Sequence, residues 1–335
     1  MHSQPEVSIG LPIYNGENYL AAALESVLTQ TVADLEVIIC DNASSDRTEG
    51  ICRQYISRDP RIRYVRSGRN LGAAPNYNRA FALARGRFFK WLAHDDMLAP
   101  SFLEEAVAAL DADRGAVLCQ SPIRFIDERG RSLGTFDGRM DGMGSRRPSI
   151  RFGAVVLLSH PCTAIFGLLR RHALIGSPLL GSYHGCDRAL LARLALRGRF
   201  LHLPEPLLMI REHPGRYTRS KTRPQDRRRW HDTGQPGQLS FPTWRMYGEY
   251  LRMVREEVAA PAERLRCYRH LSAWWGRNWN SARMAVDLLG AVSPGVVGRA
   301  EQIKWKLFGA APGHFVGKPV EGLPNSEVIA HRIEG

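Results

Sequence analysis

About 110 residues at the start of this chain alternate extended and helical patterns four times, and no other feature restricts its fold as much. Residues 7–13 place apolar side chains at every second position, as a strand does. Tyr14-Asn15-Gly16 reads as a turn, and residues 17–30 as a helix with Tyr19, Leu20, Ala23, Leu24, Val27 and Leu28 along one face. Residues 35–40 form a second strand, rich in β-branched side chains, that ends in Asp41-Asn42-Ala43-Ser44-Ser45-Asp46, a run of turn and cap residues. A helix over 48–56, a short strand over 62–65, the turn Asn70-Leu71-Gly72 and a helix over 75–84 follow. The fourth strand carries Phe88, Phe89, Trp91 and Leu92 and stops at Asp95-Asp96. Such alternation predicts a parallel sheet covered by helices, with right-handed crossovers. All four strand ends then bring polar residues to one edge of the sheet, the edge where ligands of open α/β sheets bind.

Asp95-Asp96 is the most pointed of those ends. Neighbouring carboxylates repel, and a divalent cation relieves them; Mg²⁺ takes one or two carboxylates and completes its shell with water and substrate phosphates. The plainer alternative is a solvated acidic turn. No GxGxxG follows the first strand, which disfavours a dinucleotide-binding fold, and the Walker-like fragment at 313–318 has the wrong spacing and runs into Pro319. Asn42-Ala43-Ser44 matches a glycosylation sequon but reads more simply as turn chemistry.

Beyond the fourth strand, residues 116–120 and 123–127 read as strands, 128–131 as a turn, and 131–148, full of Gly, Arg and Asp, as a loop over the site. Residues 152–158 read as helix and 164–169 as strand. A helix then starts at Asp187, buries Leu190, Leu191, Leu194 and Ala195, and closes at Gly198. An acid at that position is an ordinary cap, stabilised by the helix dipole. Residues 200–203 and 207–211 read as short strands.

Composition bounds the rest. The chain has 335 residues and a formal net charge of +13, which suits an anionic partner. Six cysteines are scattered without a CxxC pair, so reduced buried thiols are expected. No apolar run reaches the roughly 18–20 residues that span a bilayer, and the N-terminus has no apolar signal core, so the cytoplasm is the expected location.

Pro12-Ile13-Tyr14-Asn15, Asp41 to Asp46, Asn70-Leu71-Gly72, His94-Asp95-Asp96, Asp187 ahead of Leu190-Leu191-Ala192-Arg193-Leu194, and Arg211-Glu212-His213 occur in one order between residues 5 and 215. As an ordered set they resemble glycosyltransferase family 2. The resemblance implies a GT-A fold, a Rossmann-like and mostly parallel sheet flanked by helices. It implies an inverting sugar transfer from a nucleotide-diphosphate sugar, UDP being the commonest nucleotide, to an acceptor hydroxyl in polysaccharide or glycolipid synthesis. By position, Pro12, Tyr14 and Asn15 would border the base, Asp41 would accept a hydrogen bond from it, and the Asn70 loop would close over the nucleotide. Asp95 would touch the ribose, Asp96 would hold Mg²⁺ or Mn²⁺ on the diphosphate with His213 near it, and Asp187 would be the general base. A lone His beside Pro214 also reads as a structural hydrogen-bonder. The family's metal motif is often of Asp-x-Asp type; here His94 precedes two adjacent acids, which leaves the metal's identity and the role of His94 open.

The chemistry agrees with these residue types. A carboxylate takes the proton of the attacking hydroxyl, the sugar carbon passes through an oxocarbenium-like state, and a cation stabilises the leaving diphosphate. A sugar nucleotidyltransferase is the enzyme alternative, but it expects a Gly-rich loop where Tyr14-Asn15-Gly16-Glu17 stands. A catalytically inactive nucleotide-sugar-binding protein is another, against which Asp95, Asp96 and Asp187 all count.

The expected organisation is a catalytic domain over residues 1–225 and a helical region over 226–335. The basic stretch 211–229 reads as a solvated loop, or as arginines that meet a diphosphate or lipid headgroups. Helices are expected over 247–258, 261–279, 281–289 and 297–308, then a poorly ordered tail from 312. Trp and Arg interleave there, which suits packing on the catalytic domain, a membrane-surface face, a homo-oligomer contact or a glycan or lipid-linked acceptor. No nucleic-acid module is visible.

Overall fold

The computed structural model describes residues 4–216, 230, 231, 233, 241–277 and 279–292. In chain order the strands and helices are β1 (Val7–Ile13), α1 (Leu20–Leu28), β2 (Leu35–Asp41), α2 (Thr48–Ile56), β3 (Ile62–Arg66), α3 (Ala73–Ala82), β4 (Phe88–Trp91), β5 (Met97–Leu98), α4 (Phe102–Ala112) and β6 (Ala116–Gln120). There follow β7 (Ile123–Ile126), β8 (Ser132–Phe136), α5 (Pro148–Leu157), β9 (Leu168–Arg170), α6 (Arg171–Leu174), α7 (Cys186–Arg197), β10 (Arg199–His202) and β11 (Leu208–Arg211). Three helices end the described chain: α8 (Pro242–Glu257), α9 (Pro261–Trp275) and α10 (Asn280–Val292).

The large sheet has seven strands in the order β10-β6-β9-β4-β1-β2-β3. β1 runs parallel to β2 and β4, with Ile13 opposite Asp41 and Gly10 opposite Trp91. β9 alone is antiparallel to its neighbours β4 and β6. Alternating side chains divide between two cores. Val7, Ile9, Leu11, Val37 and Ile39 pack with Leu20, Leu24, Phe102 and Leu103 of α1 and α4. Ile38, Cys40, Phe89 and Trp91 pack with Ala80 and Phe81 of α3 and with α5 and α7. Gly10 faces this second core without a side chain because a Cβ there would come 2.9 Å from both Ala80 Cβ and Phe89 Cζ.

A second, four-stranded sheet, β5-β11-β7-β8, was not anticipated. It uses two-residue β5 and part of the segment read as a loop. Residues 132–136 pair with β7 instead, because the 128–131 turn closes a hairpin whose half-exposed second strand lacks a long apolar run. The strand read over 164–169 is a 3₁₀ turn, Thr163–Phe166, followed by the shorter β9. The helix read from 152 begins earlier, with Pro148 in its first turn.

The C-terminal helices share the second core. Tyr250, Met253, Val254, Cys267, Leu271, Trp274 and Met284 are buried with Phe152, Val155, Leu190, Leu191 and Leu194. Buried Arg193 joins Glu256 at 2.8 Å and Glu257 at 2.7 Å, fastening α7 to α8. Glu263 of α9 accepts the Ser149 amide at 3.1 Å and the Arg147 guanidinium at 3.2 Å at the start of α5. The residue 225/226 boundary, the basic residues 217–229, the helix expected over 297–308, the 313–318 fragment and the expected tail lie outside the described residues.

Hydrogen bonds from Ser149, Arg266 and Arg147 hold the Glu263 carboxyl down at about 2, against an ordinary 4.5. A depressed carboxylate stabilises the fold above its unfolded pKa, and that contribution is lost as pH falls toward the folded one. Glu263→Gln should therefore lower the melting temperature by a constant gap above about pH 5.5, and the gap should close as pH falls from 4.5 toward 2, as read by calorimetry across that range.

Candidate active site

The site is built on the carboxyl ends of β1, β2 and β4, whose loops are laced by side chains. Asn15 adopts the left-handed region (φ 53°), which asparagine tolerates. Its amide donates to Ser44 Oγ at 2.9 Å and its Oδ1 accepts the Ser45 amide at 2.9 Å. The Gly16 amide donates to Thr48 Oγ1 at 2.9 Å, and the Glu17 amide to Asp46 Oδ2 at 3.1 Å. Pro12 is buried in β1, whereas the Tyr14 ring is 47% exposed and open to a stacking partner.

Asp41 ends β2, fully buried. Its Oδ1 accepts the Ser44 amide at 2.9 Å and its Oδ2 accepts the Tyr64 hydroxyl at 2.6 Å. Asn42 braces the next loop: its Nδ2 donates to Asn70 Oδ1 at 2.8 Å and its Oδ1 accepts the Leu71 amide at 2.8 Å. Gly72 follows with φ 91°, a conformation that favours glycine. Beside Asp41 and Asn70 lies an open cavity of about 490 Å³ lined by Arg66, Ser67, Gly68, Arg69, Leu71 and Arg79.

Asp95 and Asp96 follow β4. Asp95 Oδ2 lies 2.9 Å from His213 Nε2, and Asp96 Oδ1 accepts the Arg211 amide at 3.0 Å. Burial pushes the Asp95 carboxyl up, but the hydrogen bond from His213 and the charges of His94 and His213 outweigh it and hold it below the ordinary value. Burial and the neighbouring Asp95 push Asp96 up to about 8. Beneath the pair, Lys90 is buried in β4 with its Nζ donating to the Phe166 carbonyl and lying 4.3 Å from the centre of the Phe102 ring; burial brings it down to about 7. Burial also lowers His94, which packs on Gly16.

Asp187 lies in the first turn of α7, behind left-handed Gly185 (φ 90°), with its Oδ1 accepting the Arg188 amide at 2.8 Å. The Cys162 thiol lies near it, and burial together with the Asp187 charge pushes that thiol well up. Cys162 leads the Thr163–Phe166 turn with φ 60°, and the last carbonyl of that turn is the one that receives Lys90. The Thr163–Phe166 turn thus lies between β4 and the neighbourhood of Asp187. At the carboxyl ends of β6 and β10, a second cavity of about 260 Å³ is lined by Gln120, Arg139, Met140, Asp141, Met143, Phe200 and His202, among others.

The residues fit a divalent cation. Burial beside Asp95 pushes Asp96 toward its protonated form, and a bound cation would restore the carboxylate. Among the described residues no group of three His, Cys, Asp or Glu side chains converges as a complete ligand set. Asp96, with Asp95 or His213, therefore fits the Mg²⁺-like case in which substrate phosphates and water complete the shell.

The family model described as Glycosyl transferase family 2 matches residues 8–173. Residues 8–173 are a glycosyl transferase family 2 domain. An uncharacterized glycosyltransferase of Methanocaldococcus jannaschii is 35% identical over 135 residues, 40% of this chain and 47% of that protein. The chain thus spans less than half the length of that curated relative. The S. aureus TarS 1–349 structure in complex with UDP-GlcNAc superposes with a TM-score of 0.58 at 17% identity, covering 87% of this chain and 82% of that one. Mannosyltransferase PcManGT from Pyrobaculum calidifontis, in complex with GDP-Man and Mn²⁺, gives 0.53 at 17% identity, covering 91% and 81%. These neighbours are GT-A glycosyltransferases, and the chain described here has the GT-A fold.

The family 2 fold brings Pro12, Tyr14, Asn15, Asp41, Asn70, Asp95, Asp96 and His213 to one sheet edge, and sets Asp187 in the first turn of α7, near Cys162. Sequence reasoning missed Asn42 as the brace of the 70–72 loop, Thr48 and Asp46 as acceptors for the first loop, and Cys162 as a neighbour of Asp187. Only Asp46 and Asn42 carried a signal, as members of a polar run. Gly16 allows a close approach within the site: an added Cβ would come 2.7 Å from both His94 Cδ2 and Ile13 Cγ2. Gly16→Ala should destabilise the fold by about 1–3 kcal/mol through overpacking, read from denaturant unfolding.

Proposed function

We propose that this chain is an inverting, metal-dependent hexosyltransferase that moves a sugar from a nucleotide-diphosphate sugar, UDP-linked first among the candidates, to an acceptor hydroxyl. The observation that carries the reading is the acid pair after β4, with Asp96 buried and raised, on the same sheet edge as the laced β1 and β2 loops. Nucleotide sugars in the two structural neighbours, and Mn²⁺ in one, support it.

In this reading Tyr14 stacks on the base, with Pro12 and Asn15 at its border. Asp41 accepts from the base, and the Asn70 loop closes over the nucleotide beside the arginine-lined cavity. Asp95 contacts the ribose. Asp96, with His213 nearby, would hold Mg²⁺ or Mn²⁺, which would supply positive charge against the leaving diphosphate. Asp187 takes the proton of the acceptor hydroxyl as the new bond forms on the face opposite the leaving diphosphate, and attack from that face inverts the anomeric carbon.

The acceptor is a glycan or lipid-linked sugar of polysaccharide or glycolipid synthesis. The exposed side chains of Leu265, Trp279, Leu288 and Leu289, on a chain of net charge +13, support contact with the inner face of a membrane. No helix among the described residues is long and apolar enough to cross one.

Asp187→Asn should retain the rise in melting temperature caused by UDP with Mn²⁺ and lose about 10²–10⁴-fold in sugar transfer, the usual worth of a general base. The assay is UDP release and product formation from UDP-sugars; near-full turnover by the variant would remove Asp187 from the mechanism.

A further inference from the structure

Arg211 makes more contacts at the acid pair than any role assigned above uses. It ends β11 in the second sheet and is only 3% exposed. Its amide donates to Asp96 Oδ1 at 3.0 Å, and its Nε donates to the Asp95 carbonyl at 3.1 Å. One terminal nitrogen donates to the carbonyls of Asp127 at 2.9 Å and Glu128 at 3.1 Å, in the turn that joins β7 to β8. The other lies 3.2 Å from Met97 Sδ, and the guanidinium sits 4.8 Å from the centre of the Tyr19 ring. One planar fork thus joins three segments: the tip of β4, the β7–β8 turn and the start of α1.

The choice of partners is informative. Among the described residues the guanidinium bonds to main-chain carbonyls and a thioether, not to a carboxylate. An ion pair with Asp95 or Asp96 would compete with a cation for the same oxygens. Gripping the backbone fixes where the two carboxyl groups point and keeps the guanidinium from competing with a ligand for their oxygens. Two residues on, the same strand end brings His213 to Asp95, and Tyr19 lies under both, 4.9 Å from the His213 ring. Lysine cannot replace this arrangement, since it keeps the charge but loses the fork.

We propose that Arg211 is a positioning residue: it locks the Asp95-Asp96 turn in the orientation that takes a divalent cation together with a nucleoside diphosphate. The inference rests on the assignment of the acid pair to the cation. It differs from that assignment in predicting that cation affinity depends on a side chain that touches neither the cation nor the diphosphate.

The test is Mn²⁺ titration by calorimetry into the full chain saturated with UDP, for wild type, Arg211→Lys and Tyr19→Leu, with metal-free UDP binding measured alongside. Arg211→Lys should weaken Mn²⁺ binding by about 10–100-fold, the usual cost of losing an outer partner of a metal site, and leave metal-free UDP affinity within about twofold. Tyr19→Leu, which removes the ring beneath the guanidinium but keeps Arg211, should weaken it by a smaller factor. Mn²⁺ affinity within twofold of wild type in Arg211→Lys overturns the inference. If that variant fails to fold, unchanged affinity in Tyr19→Leu overturns it. A wild-type chain that ignored Mn²⁺ would instead sink the cation assignment itself, and the inference with it.

Discussion

Two carboxylates on consecutive residues at the end of a buried strand pose an electrostatic problem that organises everything around them. Water does little to screen them there, and each disfavours ionisation of the other. The fold answers asymmetrically. Asp95 receives His213 and is held below its ordinary pKa, whereas buried Asp96 receives a single backbone amide and is pushed up to about 8. Lys90, directly along the strand, does not resolve the conflict, because burial lowers it to about 7 and its Nζ is committed to a carbonyl. A buried carboxyl group pushed toward its neutral form on a concave polar edge is a poor solution for stability alone and a good one for a site completed by a cation.

The remaining elements place other groups around that pair. The first two loops are fixed to each other by side chains acting on amides, so the turn bearing Tyr14 is rigid while its ring is exposed. The small second sheet delivers β11 to the pair from the far side. The Thr163–Phe166 turn receives Lys90 at one end and, at the other, follows Cys162, which lies near Asp187. α7 in turn is fixed from behind by α8 through Arg193 and Arg197. The C-terminal helices therefore bear on the position of Asp187 even though they are distant in sequence from the acid pair.

Much of the large sheet was legible because β1 and β2 are buried along their length, β1 with an apolar residue at every second position and β2 as a nearly continuous apolar run, and both stop at polar residues. The four strand-end motifs were legible for the same reason: where an apolar run stops at Asp or Asn, the chain leaves the core. The second sheet was not. β5 has two residues and β8 is half-exposed with Gly134 at its centre, so neither carries a periodic signal, and both exist through pairing with distant β11 and β7. Arg211 shows the same limit at the level of one side chain. In sequence it opens a basic stretch; in the fold it is buried, and its partners lie more than eighty positions away. Cys162 carried no signal at all, because its importance comes from a left-handed backbone and a neighbour in another helix.

The most direct test is a crystal structure of the chain with UDP and Mn²⁺. The account predicts the metal bridging the diphosphate and the Asp96 carboxylate, the uracil against Tyr14, and the Asp187 carboxylate facing the site across the position of the transferred sugar. A nucleotide bound at another edge of the sheet, or an Asp187 carboxylate turned away from the diphosphate, would contradict it.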